Sequence, residues 1–256
     1  MPGRNVELPT PTAGAKMMFL IRRRPGVSRE ELIAHWFANH MPGVIRSQQQ
    51  AAKKRRLHAW RYIATVFDPP DDADPGGAAD RDRWDGVAQL WWDRPLPRPG
   101  GPFGDPPRDS FQQKAEPYLP WATVEYVIVD GSEHLPVEPL IFNEPFPTTR
   151  SGFHKITWLI AARPDADFEA FYRHWLTVHA RNVAAVLTQC GGFRYVVSVS
   201  LEPHAEPYAG MAELYFRDRD GWPRLGELLQ DDGLEAWLDR ERTRSFSATT
   251  EMIGIP

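Results

Sequence analysis

The sequence predicts an α+β protein built from two tandem ferredoxin-like β-α-β-β-α-β units, packed sheet to sheet as an intrachain, pseudo-dimeric α/β barrel. Three observations predict it. First, the motif H-W-x-x-x-H occurs twice, at His35-Trp36 to His40 and at His174-Trp175 to His179, 139 positions apart. The offset runs back without a gap to Lys16 and Lys155, and Leu20, Ile21, Arg24, Pro25 and Glu30 also meet their own kind in the second copy. A repeat this long is a duplicated domain and not a solenoid turn. Second, strand-like and helix-like periods follow one another in the split βαβ order in both copies. Third, the strands read as apolar on both faces. Helices cover only one face of such a sheet, so the second copy is the candidate cover for the other, as a second chain would be in a homodimer.

The elements of the first copy follow in order. Residues 16–23 alternate as a strand that Pro25-Gly26 ends. Ser28 to Glu31 is a capping box, and Leu32, Ile33, Trp36 and Phe37 continue as a helical stripe. Met41-Pro42-Gly43 is expected to interrupt the helix before a second stretch running towards Leu57. Residues 60–67, 84–92 and 121–129 read as strands. Residues 69–83 and 95–107 are Pro/Gly-rich loops, the first expected to be mobile, and 109–116 suits a short helix. Residues 1–15 are expected to be a loose arm, 16–130 the first domain, 131–152 a linker and 153–256 the second domain. In the second domain, strands are expected at 155–162, 192–200 and 208–216. Asp167 should cap the first helix, 225–244 should be helical with an interruption near Asp231-Asp232-Gly233, and a last strand should run from Ala248.

Composition excludes several classes. Charged residues are 25% and apolar ones 42%, an ordinary globular balance. A net charge of −4 argues against nucleic acid. The one basic cluster, Lys53-Lys54-Arg55-Arg56, suits a solvated helix face. Cys190 is the single cysteine, so no intramolecular disulfide can form and a cytoplasmic setting is expected. Cys190 is either a catalytic thiol or a small residue ending an element. No apolar run approaches the ~20 residues of a membrane span, and no signal segment is evident.

Arg24-Pro25-Gly26, the capped helix, His35-Trp36-x-x-x-His40-Met41-Pro42 and Trp84-Asp85-Gly86-Val87-Ala88-Gln89-Leu90-Trp91 together resemble the EthD family of dimeric α/β-barrel proteins. The second half is similar again, from Arg163-Pro164 through His174-Trp175-x-x-x-His179 to Ala209-Gly210-Met211-Ala212-Glu213-Leu214, with Ala180-Arg181 where the first copy has Met41-Pro42. The resemblance implies a small-molecule substrate and no cofactor. Family members with an activity are mostly cofactor-independent enzymes of aromatic or polyketide-like compounds, decarboxylases among them.

The residues themselves narrow the chemistry. At roughly 100° per residue, His40 falls about 40° from Trp36, inside the apolar stripe, and His35 about 100° away on its flank. His179 and His174 repeat this, so neither pair should chelate one metal, and no metal site is expected. His40 and His179 either act as general acid or base or only fix a helix end. Asp85 is the candidate for orienting His40, and Ala209 replaces it in the second copy. His40 is therefore expected to be the stronger of the two. Tyr62 and Arg61, like Tyr195 and Arg194, alternate on a strand, so one of each pair faces inward and could hold a phenol or carboxylate. His35 and His174 could add substrate contacts. Two functions stay open: a cofactor-free lyase or cyclase, by decarboxylation or dehydration of an aromatic or polyketide-like compound, or a non-catalytic small-molecule-binding module with a vestigial cavity. A cavity of roughly 300–1,000 Å³ with His40 reaching into it favours the first, a filled core the second. The duplication allows a monomer, or a homodimer through outer surfaces.

Overall fold

The computed structural model describes residues 7–69, 83–135 and 145–256. The first copy contributes β1 (Ala15–Ile21), α1 (Arg29–His35), α2 (Met41–Lys53), β2 (Arg61–Val66), β3 (Gly86–Trp92), α3 (Ser110–Lys114) and β4 (Trp121–Val129). After the short strand β5 (Thr148–Arg150), the second copy contributes β6 (His154–Ile160), α4 (Phe168–His174), α5 (Ala180–Leu187), β7 (Gly192–Ser200), β8 (Gly210–Phe216), α6 (Gly221–Leu228), β9 (Arg244–Ala248) and β10 (Thr250–Ile255). The fold is mixed α/β with antiparallel sheets. No described helix is long and apolar enough to cross a membrane.

The chain forms two compact units, and each takes its outer strand from the other sequence copy. One unit comprises Gly14–Ala122 with β5 and Ala248–Pro256, in the strand order β5-β10-β2-β3-β1. Its β10 pairs antiparallel with β2, from Thr250 opposite Val66 to Ile253 opposite Ile63. The other unit comprises Thr123–Leu135 and Phe153–Ser247, in the order β4-β7-β8-β6-β9. There β4 pairs with β7, from Thr123 opposite Ser200 to Val127 opposite Val196. The second strand of each copy is thus hydrogen-bonded to the last strand of the other.

Several local expectations meet corrections. The described part of the N-terminal arm is tied down: Thr12 donates its N–H to the Glu125 carbonyl at 2.8 Å and its hydroxyl to the Glu125 carboxylate at 2.9 Å. The expected linker contains β5, which pairs with β10. The 225–244 stretch breaks near Asp231-Asp232-Gly233 as expected, but little of it is helical: α6 ends at Leu228, a single 3₁₀ turn covers Leu234–Trp237 after Gly233 at positive φ, and β9 starts at Arg244. The 69–83 loop and the middle of the linker lie largely outside the described residues. Ser28 caps α1 as expected, its hydroxyl accepting the Glu31 N–H at 3.1 Å, but the Glu31 carboxylate pairs with Lys114.

Neither unit shows the interruption expected after the second histidine. Trp36–His40 and Trp175–His179 are π turns that carry the chain from one helix straight into the next. Met41 and Ala180 bond the carbonyls of Trp36 and Trp175, five residues back. Only the first copy has a proline there, so Pro42 is not the cause.

The tryptophan that opens each π turn is fixed from below. Trp36 and Trp175 are each 1% exposed, and their indole N–H groups donate to the buried hydroxyls of Tyr62 and Tyr195, both at 3.3 Å. Their rings lie over Gly86 and Gly210 at the start of β3 and β8. A Cβ at Gly86 would stand 2.5 Å from the Thr65 carbonyl oxygen and 3.0 Å from the Trp36 ring; at Gly210 the distances are 2.6 Å to Ser198 and 2.8 Å to Trp175.

The sheet face away from the helices corrects the expectation of strands apolar on both sides. In one unit it carries Lys16, Thr65, Gln89, Arg150 and Glu251, all buried, with Arg150 bonded to Glu251 at 2.7 Å. In the other it carries Lys155 and Glu213, 2.7 Å apart and at most 3% exposed. Apolar neighbours such as Met18, Val87 and Met211 sit between these pairs.

Two predictions follow from this architecture. Residues 16–130 expressed alone leave β2 without β10 and should give no cooperative unfolding transition, whereas adding a peptide covering 248–256 should restore one; a stable isolated half would contradict the strand exchange. Gly210→Ala should destabilise the whole chain by about 1–3 kcal/mol, the usual cost of overpacking, read from denaturant midpoints.

Candidate functional site

The π turn changes which way the histidines point. A turn closed over five residues brings positions five apart closer in angle than a regular helix does. His174 and His179, expected about 140° apart, in fact converge on one carboxylate. Asp232 lies 3.6 Å from His174 Nε2 and 3.0 Å from His179 Nδ1. Asp232 also accepts from Asn182 Nδ2 at 2.9 Å and from the Leu234 N–H at 3.1 Å. Its side chain is 6% exposed. Burial raises the Asp232 carboxyl, but the His179 charge and these hydrogen bonds together outweigh it, and the net shift is downward. His179 moves downward as well. Burial lowers it, the Asp232 charge and hydrogen bond oppose that, and nearby His174 adds to the lowering. The imidazole is therefore neutral near pH 7, donating from Nδ1 to Asp232 and leaving Nε2 as a free base.

A cavity of about 700 Å³ opens beside this pair. Trp158, Trp175, Trp222 and Tyr195 line it together with His179, and Asp231, Asp232, Glu235 and Arg240 add charge. The volume lies within the usual range for small-molecule sites. Trp158 projects from the helix face of β6 and meets Trp222 of α6, ring centroids 5.6 Å apart. Burial pushes the Tyr195 phenol well above its ordinary value, so it stays protonated.

The first unit repeats the pairing with a different surrounding. His40 Nδ1 is 2.7 Å from Asp109, and His35 Nδ1 is 2.9 Å from the Ser110 hydroxyl. Asp109 also caps α3, accepting the Gln112 N–H at 2.8 Å. Burial raises its carboxyl, but the bonds from His40 and from the Gln112 and Phe111 backbone lower it by more. The Phe111 ring lies against His40, centroids 4.5 Å apart, and continues onto Trp36 at 5.4 Å. His40 is not among the residues lining the 700 Å³ cavity.

The other expected site residues are placed as follows. Asp85 does not orient His40. Its carboxylate accepts the Arg23 N–H at 2.7 Å and pairs with the Arg23 guanidinium at 3.2 Å, which fixes the end of β1. Tyr62 faces the helices and is buried beneath Trp36, while Arg61 lies on the other face with its guanidinium 5.0 Å from the Trp91 ring. Arg194 pairs with Asp130, away from the cavity. His174 stacks on Trp237 at 4.8 Å. Cys190 is fully buried, and burial pushes its thiol up, which suits packing and not nucleophilic chemistry. The sequence reading missed Asp109 and Asp232. The available signal was an acidic residue just ahead of the second helical segment in both copies.

The site stands on the second copy, and the family match falls on that stretch. Residues 163–231 match the EthD domain. The match covers α4, the π turn, α5, β7, β8 and α6. No curated protein matches the chain at a significant level. Among solved structures, the chain is similar to an anthrone oxidase-like protein at 11% identity, covering 95% of this chain and 94% of that one with a TM-score of 0.46. It is also similar to a mutant chlorite dismutase from Candidatus Nitrospira defluvii at 9% identity, covering 93% and 92% with a TM-score of 0.45. A heme-binding protein from Thermus thermophilus aligns at 13% identity over 98% and 95% with a TM-score of 0.38.

The pKa direction of His179 sets a pH dependence. Its folded value lies below the unfolded 6.5, so the unfolded chain binds the extra proton first. The His179 contribution to stability is then fully present above about pH 6.5 and is lost as pH falls below it towards the folded value. Thermal unfolding from pH 7.5 down to 5 should show this loss, and His179→Gln should flatten it; an unchanged slope in the variant would refute the assignment.

Proposed function

We propose that the cavity of the EthD domain binds a ring-bearing small molecule and that His179 is the general base of a cofactor-independent lyase- or cyclase-type reaction on it. One observation carries this: a neutral histidine, oriented by a nearly buried carboxylate, lines a 700 Å³ cavity walled by three tryptophans. Aromatic walls favour a flat apolar body, and they exclude water from the proton being moved. His179 Nε2 would take a proton from a carbon next to a carbonyl or hydroxyl group and return it to the departing oxygen, which leaves as water. Asp232 holds the tautomer that leaves Nε2 free and stabilises the imidazolium between the two steps. Tyr195, kept protonated, could donate to an oxygen of the substrate. The aromatic or polyketide-like character of that substrate rests on the resemblance of the motifs.

For the first unit we propose a non-catalytic role, because the Phe111 ring occupies the space against His40. Since each copy receives its outer strand within one chain, the working form proposed is a monomer.

The test is a panel of polycyclic ketones, phenols and hydroxy compounds, followed by calorimetric binding and by mass spectrometry for loss of water. Proton transfer of this kind is worth roughly 10²–10⁴-fold in rate. His179→Gln should lose about that much turnover with binding nearly unchanged, and His40→Gln should lose little. Equal turnover by wild type and His179→Gln would end the proposal.

A further inference from the structure

The charge around the cavity bears on what enters it, and the inference rests on the reading that the cavity is the ligand site. Three acids line it, Asp231, Asp232 and Glu235, against one fixed cation, Arg240. Arg240 is already paired with Glu235. Asp231 accepts the Gly233 N–H at 2.9 Å, and Asp232 is held by His179, Asn182 and a backbone N–H, with His174 Nε2 at 3.6 Å. Burial keeps His179 neutral, so it adds no full positive charge beside Asp232. Asp231, which is exposed, and the half-buried Asp232 therefore give the indole-walled cavity a negative edge. Such a wall focuses the field instead of screening it. The same rings present negative π faces, which attract cations.

We infer that the cavity selects its ligand by charge, taking a protonated amine on an apolar ring body and excluding the corresponding carboxylate. The cavity is the site; the acids decide which charge it accepts. A bound ammonium would sit between the carboxylates of Asp231 and Asp232 and the faces of Trp158 and Trp222. It would also hold His179 in its neutral, base-competent form. A carboxylate would lose its hydration and gain no free cation in exchange. Of the reactions a histidine base could serve here, elimination of water from an amine-bearing compound fits this field, and decarboxylation of an acid does not.

Three matched probes test this by isothermal titration calorimetry near pH 7: naphthylmethylamine, naphthylmethanol and naphthoate. At low salt the amine should bind best and at least about tenfold tighter than the carboxylate, with the alcohol between, and the gap should shrink as salt is raised. The double variant Asp231→Asn with Glu235→Gln should close most of the gap while leaving the alcohol's affinity in place. Carboxylate binding equal to or tighter than amine binding overturns the charge selection but leaves the cavity as an aromatic site. Failure of all three probes to bind overturns the cavity reading and this inference with it.

Discussion

An indole ring lying on a bare glycine is the contact on which each unit depends. At Gly86 and Gly210 a single added carbon would meet both a strand carbonyl and the ring of the helix tryptophan. The absence of a side chain there lets the helix approach the sheet closely, and the Tyr62 or Tyr195 hydroxyl then satisfies the buried indole N–H. The wide turn that follows each tryptophan aims two histidines five residues apart at one short segment, at Asp109 and Ser110 in the first copy and at Asp232 in the second. The recurrence of H-W-x-x-x-H thus reflects one mechanical unit: the tryptophan fixes the phase, and the π turn spends that phase on the second histidine.

The open sheet faces obey a different constraint. Lys155 with Glu213 and Arg150 with Glu251 are ion pairs with almost no exposure. Such pairs roughly break even against hydrophobic residues of the same size, but removing one member costs several kcal/mol, about 3–5, because the other charge is left stranded. Their effect is on register. Glu251 of β10 bonds Thr65 directly across from it on β2 at 3.2 Å, and Gln89 of β3 donates to the same threonine. A slip of one residue would turn these polar groups into the helix-side core. The borrowed strand is thereby held in one alignment on the copy that receives it.

The duplication, the strand order within each copy and the packing role of the tryptophans were legible in the sequence, since each is written in residue type and spacing. The exchange of β4 and β10 was not. Both carry the same alternation, so either could add to either second strand, and hydrophobic pattern is blind to the choice. The open faces were misread because Lys16 and Lys155 each stand alone among apolar residues, while their partners lie on strands far away in the chain. The histidines were singled out as candidates, but their partner was assigned to Asp85 by proximity to a repeated motif, where the structure has Asp109 and Asp232. The regular-helix wheel failed because nothing in local propensity announces a π turn; it is imposed by the anchored tryptophan. Asp109 and Asp232 carried only a weak signal, one at the start of a short helix and the other in the Asp231-Asp232-Gly233 break, and neither position refers to a histidine.

Sequence asymmetry favoured the first copy, whereas the proposed site lies in the second. Pro42 and Asp85 made the first copy look the more complete, yet both serve the backbone: one sits in a helix that its counterpart forms without proline, the other ties down Arg23. The difference that matters is one ring. Where the first copy places Phe111 after its acidic cap, the second places Leu234, two residues beyond Asp232 in the same way. Phe111 stacks on both His40 and Trp36, joining the tryptophan's core to the histidine and closing the wall. Leu234 reaches neither by ring contact, and the aromatic partner in that segment, Trp237, stacks on His174 and Phe171 instead. Space is left in front of His179, and Trp158, standing where Phe19 stands in the first copy, and Trp222 form its far side. A duplicated chain can thus keep one copy packed for stability and leave the other open, because the packed copy supplies the strand that completes the open one.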